Sequence, residues 1–310
     1  MGGRDRGRAL LALACMERST LTYALVTPAR NESENLRRLA TSVAAQTHAP
    51  AEWVIVENGS SDDTLAIAEE LAEEHAWIRV VTLSESAERV RGGAIVRALS
   101  AGIEELESEP DLVVNLDADV SMEADYFDRL AAAFADDPEL GIASGSGFEL
   151  ENGVWRQQFA TRGTVWGATR AYRRRCLQDV WPLEERLGWD GLDELQATVR
   201  GWKTATLLDL PFHHHRPVGQ RDGERRVFWS AEGRLAHYMG YRIGYLVARV
   251  AYRAIRERDA AAGWMIWGYV SSAARREARW RDEAARAHLR ELQRLRHLPA
   301  RRREALGRGL

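Results

Sequence analysis

From residue 22 onward, short apolar runs alternate with longer stretches whose apolar positions recur every three or four residues. The runs cover 23–27, 53–56, 78–83 and 112–116 and are rich in Val, Leu and Ile, as strands buried on both faces are. Between them the helical spacing covers 34–45, with Leu36, Leu39 and Val43 on one face, then 63–74 and 93–106. Strands separated by helices of this length predict right-handed βαβ units and an α/β fold, with a mostly parallel central sheet flanked by helices. After residue 141 the pattern loosens into a strand over 141–147, antiparallel extended segments over 154–169, a helix over 190–200 and a strand over 204–215. Beyond about residue 224 long helical patterns take over, without turn clusters. The expected organisation is an extension over 1–20, an α/β domain over 21–225 with halves 21–120 and 121–225, and a helical, basic region over 226–310.

Composition adds exclusions more than assignments. With 310 residues, 45% hydrophobic and 29% charged, the chain is of ordinary globular type, and a net charge of −3 gives no global reason to expect nucleic acid. The tail departs from that average, with twelve Arg against five acids from Ser271 to Leu310. Two cysteines, Cys15 and Cys176, exclude a disulfide-rich scaffold and a Cys-based zinc cluster, and fit a reducing compartment. Arg4, Arg6 and Arg8 precede an apolar stretch ending at Cys15 that superficially resembles a signal peptide. Its core is short and Arg18 follows closely, so a dispensable extension is expected instead. The longest uncharged run, 260–274, has 15 residues, and crossing a bilayer takes about 20. Over 238–256, Arg242, Arg249, Arg253 and Arg256 make one basic stripe, with Tyr238, Tyr241, Tyr245, Val247 and Val250 elsewhere on the same helix. That pattern predicts either peripheral binding at an anionic membrane surface or a helical subdomain packed on the rest of the chain.

Chemistry gathers at the ends of the strands. Polar residues follow each strand of the first half: Thr27 to Glu32, Glu57 to Ser60, and Asp117 with Asp119. In a parallel sheet these loops converge on one rim, where open α/β folds bind ligands. Two hard oxygen donors there suit Mg²⁺ or Mn²⁺ shared with a substrate's phosphates, although Asp-x-Asp is also ordinary turn chemistry. Glu57 and Asn58 suit hydrogen bonds to a base or ribose, and Arg30 and Arg91 suit bidentate phosphate contacts. Gly92 and Gly93 would let backbone approach an anion at a helix N-terminus. No G-x-G-x-x-G follows the first strand and the sole lysine is Lys203, which counts against a dinucleotide enzyme and a P-loop NTPase. A second cluster, Asp190, Asp193 and Glu194, shares one helix face at i, i+3 and i+4. It offers a carboxylate to take a proton from an attacking hydroxyl, or alternatively an N-cap and first-turn acids that favour the helix dipole. A third is His213-His214-His215-Arg216, where an extended chain points His214 away from its two neighbours.

Thr27-Pro28-Ala29-Arg30-Asn31-Glu32, then Val54 through Thr64, then Leu116-Asp117-Ala118-Asp119, resemble the family 2 glycosyltransferases in both order and spacing. The resemblance spans roughly residues 20–220. It implies a GT-A fold, with a nucleotide-sugar half on the parallel sheet, an acceptor half beyond the Asp-x-Asp, and here a C-terminal helical appendage. It implies that Thr27, Pro28, Arg30 and Glu32 line the nucleotide pocket, that Glu57 with Asn58 and Ser60 faces the base, and that Arg91 lies near the nucleotide. Asp117 and Ala118 would face the ribose or donor sugar. Asp119 would hold a divalent metal, Mn²⁺ or Mg²⁺, on the diphosphate, with His214 or His215 completing its shell and Arg216 near phosphate. Trp166 falls where acceptor contacts are expected, and Trp189 would either stack on an acceptor sugar or simply pack. In the family the base precedes a Gly-aromatic pair by about three helical turns, and counting back from Gly201-Trp202 favours Asp190, with Asp193 and Glu194 as rivals. Glu57 and Asn58 stand where many members carry two Asp, which leaves the base identity open.

The implied activity is metal-dependent, inverting transfer of a sugar from a nucleotide-diphosphate donor (a UDP- or GDP-sugar) to a glycan or lipid-linked acceptor hydroxyl. It belongs with cell-surface polysaccharide or glycolipid synthesis, in the cytoplasm and peripheral on the inner face of the membrane, with no nucleic acid partner. Three other readings compete: a polyprenyl-phosphate sugar synthase, whose phosphate acceptor needs little base assistance; a non-catalytic nucleotide-binding or membrane scaffold; and a nucleic-acid binder acting through the Arg tail.

Overall fold

The first four strands of the computed structural model line up in parallel. They are β1 (Tyr23–Ala29), β2 (Glu52–Glu57), β3 (Ile78–Thr82) and β4 (Leu112–Leu116), joined through α1 (Ser33–Ala44), α2 (Thr64–Glu74) and α3 (Gly93–Glu104). The structure describes residues 21–83, 92–158, 165–216, 225–256 and 258–297. Alternation within the strands feeds two cores. Leu25 and Ile55 turn toward Leu36, Leu39 and Val43 of α1, while Val26, Val54 and Val56 turn toward Val96 and Leu99 of α3. Each such side chain contributes about 1.5–3 kcal/mol on burial, which is why these strands are aliphatic at nearly every position.

The second half extends the same sheet with mixed directions. It comprises β5 (Val120–Met122), α4 (Tyr126–Asp136), β6 (Leu140–Glu151), β7 (Val154–Gln157), β8 (Thr169–Arg173), α5 (Arg174–Val180), α6 (Trp189–Val199) and β9 (Lys203–His214). Sheet order is β3-β2-β1-β4-β8-β6-β9-β5, with β7 on β6. β8 runs antiparallel to β4, and β5 antiparallel to β9. Those two registers bring the second half's polar residues to the rim formed by the first.

Helix α4 has no counterpart among the sequence expectations, although Tyr126, Phe127, Leu130, Ala131 and Phe134 carry helical spacing and are all buried. Of the extended segments expected over 154–169, β7 covers only the start, and 159–164 lie outside the described residues.

From Arg225 the chain is helical: α7 (Arg225–Tyr238), α8 (Ile243–Arg256), α9 (Trp264–Ala274) and α10 (Glu283–Leu292). α7 and α9 cross backbone to backbone. A Cβ on Gly233 would stand 2.0 Å from the Met265 carbonyl oxygen, and one on Gly268 2.0 Å from that of Ser230. The single helix expected over 238–256 is broken, because Gly240 adopts φ 73° and leaves Tyr238 on α7 and Tyr241 in the connection. Three arginines of the expected basic stripe are engaged within the helical region. Arg249 pairs with Glu232 at 3.1 Å, the Arg253 guanidinium lies 5.4 Å from the Trp229 ring centre, and Arg242 Nε donates to the Arg290 carbonyl at 2.6 Å. The exposed side of α8 is instead aliphatic, with Ile243, Val247 and Ile255 outward. Among the described residues no helix is long and apolar enough to cross a membrane.

Candidate active site

The loops after β1 and β2 are latched to each other by polar side chains. Asn31, in the left-handed region at φ 55°, accepts from the Ser61 N–H at 2.8 Å, and its own N–H donates to Ser60 Oγ at 3.0 Å. Glu57, buried at the end of β2, accepts from the Ser60 N–H, and the Glu32 N–H donates to Thr64 Oγ1 at 2.8 Å. Asp62 accepts from the N–H groups of Ser33 and Thr64 and from the Thr64 hydroxyl. Burial alone would raise the Asp62 carboxyl, but these donors outweigh it and hold the group down at about 2. Pro28 and Asn58 are half-buried at this rim and Arg30 is exposed. Thr27 is not at the rim surface. It is fully buried, and its hydroxyl accepts from Trp53 Nε1 at 2.9 Å.

The rim continues at the end of β4. Antiparallel pairing of β5 with β9 sets His214 opposite Val120, and parallel pairing of β6 with β9 sets Glu149 beside His214. Ligand atoms of Asp117, Asp119 and His214 consequently lie within 4.8 Å of one another. His214 Nε2 is 3.3 Å from Asp119 Oδ1, and its Nδ1 is 3.4 Å from Glu149 Oε1. Burial opposes protonation of His214, but the hydrogen bond and charge of Asp119 prevail and its pKa is raised. Arg216 Nε stands 3.6 Å from Asp119 Oδ2, while its Nη2 pairs with Glu32 and so ties this centre to the loop after β1. Sequence alternation separated the histidines correctly. His215 stands outside the cluster, with its Nε2 2.8 Å from Ser121 Oγ, and burial beside Arg38 lowers its pKa to about 4. Asp117, assigned from sequence to the ribose or sugar, is part of the three-residue cluster.

The second acidic group surrounds a residue that sequence reasoning missed. Arg170, fully buried on β8 and paired in register with Asn115 of β4, directs all three guanidinium nitrogens at the start of α6. Its Nη2 donates to Asp193 Oδ1 at 2.5 Å and to the Asp190 carbonyl at 2.7 Å. Its Nε reaches Asp193 Oδ2 at 3.1 Å and its Nη1 reaches Glu194 Oε1 at 3.2 Å. Tyr172 donates its hydroxyl to Asp193 as well. Burial pushes Asp193 up to about 6 and Glu194 up to about 7 against the pull of Arg170, whose own pKa is raised. Asp193 and Glu194 are therefore engaged in holding a buried cation. Asp190 hydrogen-bonds Arg170 through its carbonyl alone, and its carboxylate acts on the guanidinium only through charge. Its carboxylate is half-exposed, accepts from the Gly191 N–H at 3.1 Å, and forms no direct ion pair among the described residues.

Loop 165–168 joins the two groups. Asn115 Nδ2 donates to the Gly167 carbonyl at 2.7 Å and to Asp117 Oδ1 at 3.3 Å, and the Asp117 N–H donates to the Ala168 carbonyl at 2.9 Å. On the other side, the Val165 N–H donates to Glu194 at 2.8 Å, and Asp190 Oδ2 is 3.9 Å from the Cβ position of Gly167. Trp166, half-buried in this loop, packs edge-on against Phe212. Trp189 is buried in the core, 5.7 Å from the Arg170 guanidinium, as its packing alternative expects. Ala118, between the two Asp in sequence, is buried. Arg91 lies outside the described residues. The close approach foreseen at Gly92 is real but internal: a Cβ there would be 2.6 Å from the Leu187 backbone nitrogen. Ser121, Glu149 and Arg170 were not found from sequence because strand pairing alone brings them here.

Comparison with known proteins agrees with this architecture. The family model described as glycosyl transferase family 2 matches residues 24–181. The O-antigen biosynthesis protein RfbC of Myxococcus xanthus is 34% identical over 133 residues, covering 42% of this chain and 10% of that protein. The poly-β-1,6-N-acetyl-D-glucosamine synthase of Staphylococcus aureus is 33% identical over 116 residues, 37% of this chain and 26% of the synthase. The matched stretches thus span about a quarter of one relative and a tenth of the other. Among solved structures, S. aureus TarS 1–349 in complex with UDP-GlcNAc superposes with a TM-score of 0.53 at 21% identity, over 70% of this chain and 66% of that one. The mannosyltransferase PcManGT of Pyrobaculum calidifontis, in complex with GDP-Man and Mn²⁺, superposes with a TM-score of 0.52 at 16% identity, over 93% and 85%. The fold is GT-A, and the chain belongs to glycosyltransferase family 2.

Proposed function

We propose that this glycosyltransferase moves a sugar from a nucleoside-diphosphate donor to a hydroxyl of a glycan or lipid-linked acceptor, with inversion, using Asp190 as the proton acceptor. The observation that carries the reading is the division of labour at α6: Arg170 occupies Asp193 and Glu194 and leaves the Asp190 carboxylate facing the loop that leads to Asp117. A base beside the acceptor hydroxyl contributes about 10²–10⁴-fold to such a transfer.

Two carboxylates and an imidazole form a mixed oxygen and nitrogen donor set, which favours Mn²⁺ over the strictly oxygen-seeking Mg²⁺. Glu149 behind His214 is the carboxylate that fixes the ring's orientation and tautomer, as second partners of metal-binding histidines do. Asp117, Asp119 and His214 would hold the ion, whose contribution is to offset charge on the departing diphosphate. Arg216 stands at the same place with a permanent charge and adds a donor for phosphate oxygen. Glu57 and Asn58 offer the base-side contacts. That the structural neighbours are complexes with UDP-GlcNAc and GDP-Man supports a nucleotide-sugar donor of one of these two kinds.

A thermal-shift panel of UDP-, GDP- and dTDP-sugars with and without Mn²⁺ tests the reading. One nucleotide series should raise the melting temperature, and only with metal. No response from any series would sink it.

A further inference from the structure

A second concave site lies far along the chain, among the C-terminal helices. A cavity of about 660 Å³ opens between the start of α8 and the end of α10, and Arg242, Arg279, Arg290 and Arg294 all line it together with Tyr241, Tyr245 and Tyr269. Among the described residues no carboxylate lines it. Of the four guanidinium groups, only Arg294 has a carboxylate partner among the described residues, Glu291 at 2.6 Å. Arg242 is held in place by its bond to the Arg290 carbonyl, and Arg279 and Arg290 extend exposed from their segments. Like charges gathered around one concavity repel unless an anion joins them.

The second observation is independent of charge. Gln293 also lines the cavity and is 1% exposed. Its Oε1 accepts from the Arg242 N–H at 2.9 Å, which fixes the orientation of the amide, and its Nε2 has no partner among the described residues. A buried donor left without an acceptor is rare in folded proteins and calls for a ligand or water that completes it. Ile243 at the cavity's rim begins an exposed aliphatic row that continues one turn on at Val247.

From this arrangement we infer that the cavity is an anion site that takes the phosphate or diphosphate group of a phosphorylated ligand. Planar guanidinium groups bind phosphate oxygens bidentately, and the tyrosines and Ile243 offer apolar surface to whatever the phosphate carries. This anion site is independent of the transfer reaction proposed above.

The test uses the full chain, without divalent metal, and two probes that separate a soluble source from a lipid one. Inorganic pyrophosphate is titrated calorimetrically, and co-sedimentation is measured with phosphatidylcholine vesicles with and without phosphatidic acid. Wild type should bind at least one probe saturably. Arg279→Gln/Arg290→Gln should weaken that binding at least tenfold with an unchanged circular dichroism spectrum, since both side chains are exposed. The charge-matched control Arg37→Gln/Arg129→Gln should bind as wild type does, which separates the cavity from net charge. No saturable binding of either probe overturns the inference, as does a double variant that binds like wild type.

Discussion

Asp117 and Asp119 at the end of β4, and Asp190, Asp193 and Glu194 at the start of α6, flank the same loop, yet the fold treats them differently. Around the first group stand an imidazole and an arginine shared with Glu32, at distances of 3.3 and 3.6 Å from Asp119. Around the second is a guanidinium with no solvent exposure, bonded through every nitrogen. Acidic side chains clustered at a rim can receive a ligand's cation, whereas acids facing a buried arginine already have theirs. The nature of the cation decides between site and scaffold, and the local sequence of either cluster does not reveal it. Within the second group the distinction runs between neighbours, because Asp190 gives Arg170 a carbonyl and keeps its carboxylate outside.

The sharpest break of this comparison is to neutralise one acid on each side of the division. Asp190→Asn should lower kcat by about 10²–10⁴-fold while leaving the urea midpoint where it is, because its carboxylate has no direct ion pair among the described residues. Retained turnover would move the base elsewhere or point to a phosphate acceptor, which needs no such assistance. The opposite signature is expected one layer below. Arg170→Met leaves Asp193 buried without its cation, and should cost about 3–5 kcal/mol in stability by equilibrium unfolding. A variant with wild-type stability would show that Arg170 is not the structural counter-charge.

Much of the first half was legible because its information is local. Strands β1, β2 and β4 announce themselves by aliphatic runs, and helices α1 and α3 by apolar spacing, so the rim follows from the order of elements alone. His214 was separable from His215 by strand alternation. Arg170 was not legible, since Thr-Arg-Ala-Tyr reads as a partly polar strand until its register against Asn115 turns the arginine inward. The α8 arginines misled for a related reason: long side chains bury their stems and heads against Trp229 and Glu232, so a charged residue does not mark the solvated face. For Trp189, left open from sequence between stacking on a sugar and packing, burial favours packing.

A smaller effect sharpens the metal side. Glu149→Gln keeps the shape of the residue behind His214 and removes its charge, so Mn²⁺ affinity should fall by about 10–100-fold in a calorimetric titration. Unchanged affinity would mean that Glu149 serves the β6–β9 pairing and not the ring.

The smallest expected effect concerns the latch that holds the donor rim together. Asp62 has a folded-state pKa of about 2 against 3.8 for the ordinary group, so the unfolded chain takes up its proton first as the solution is acidified. Its stabilisation is therefore fully present above about pH 4 and is lost as pH falls toward 2. The group is exposed, and solvent screening keeps the contribution small. Asp62→Asn should melt below wild type at pH 5, and the gap in melting temperature should narrow on acidification through this window. A gap that stays constant from pH 5 to pH 2 would show that the side chain holds the loops by shape alone. A gap that closes would tie the integrity of the β1 and β2 loops to one ionised carboxylate.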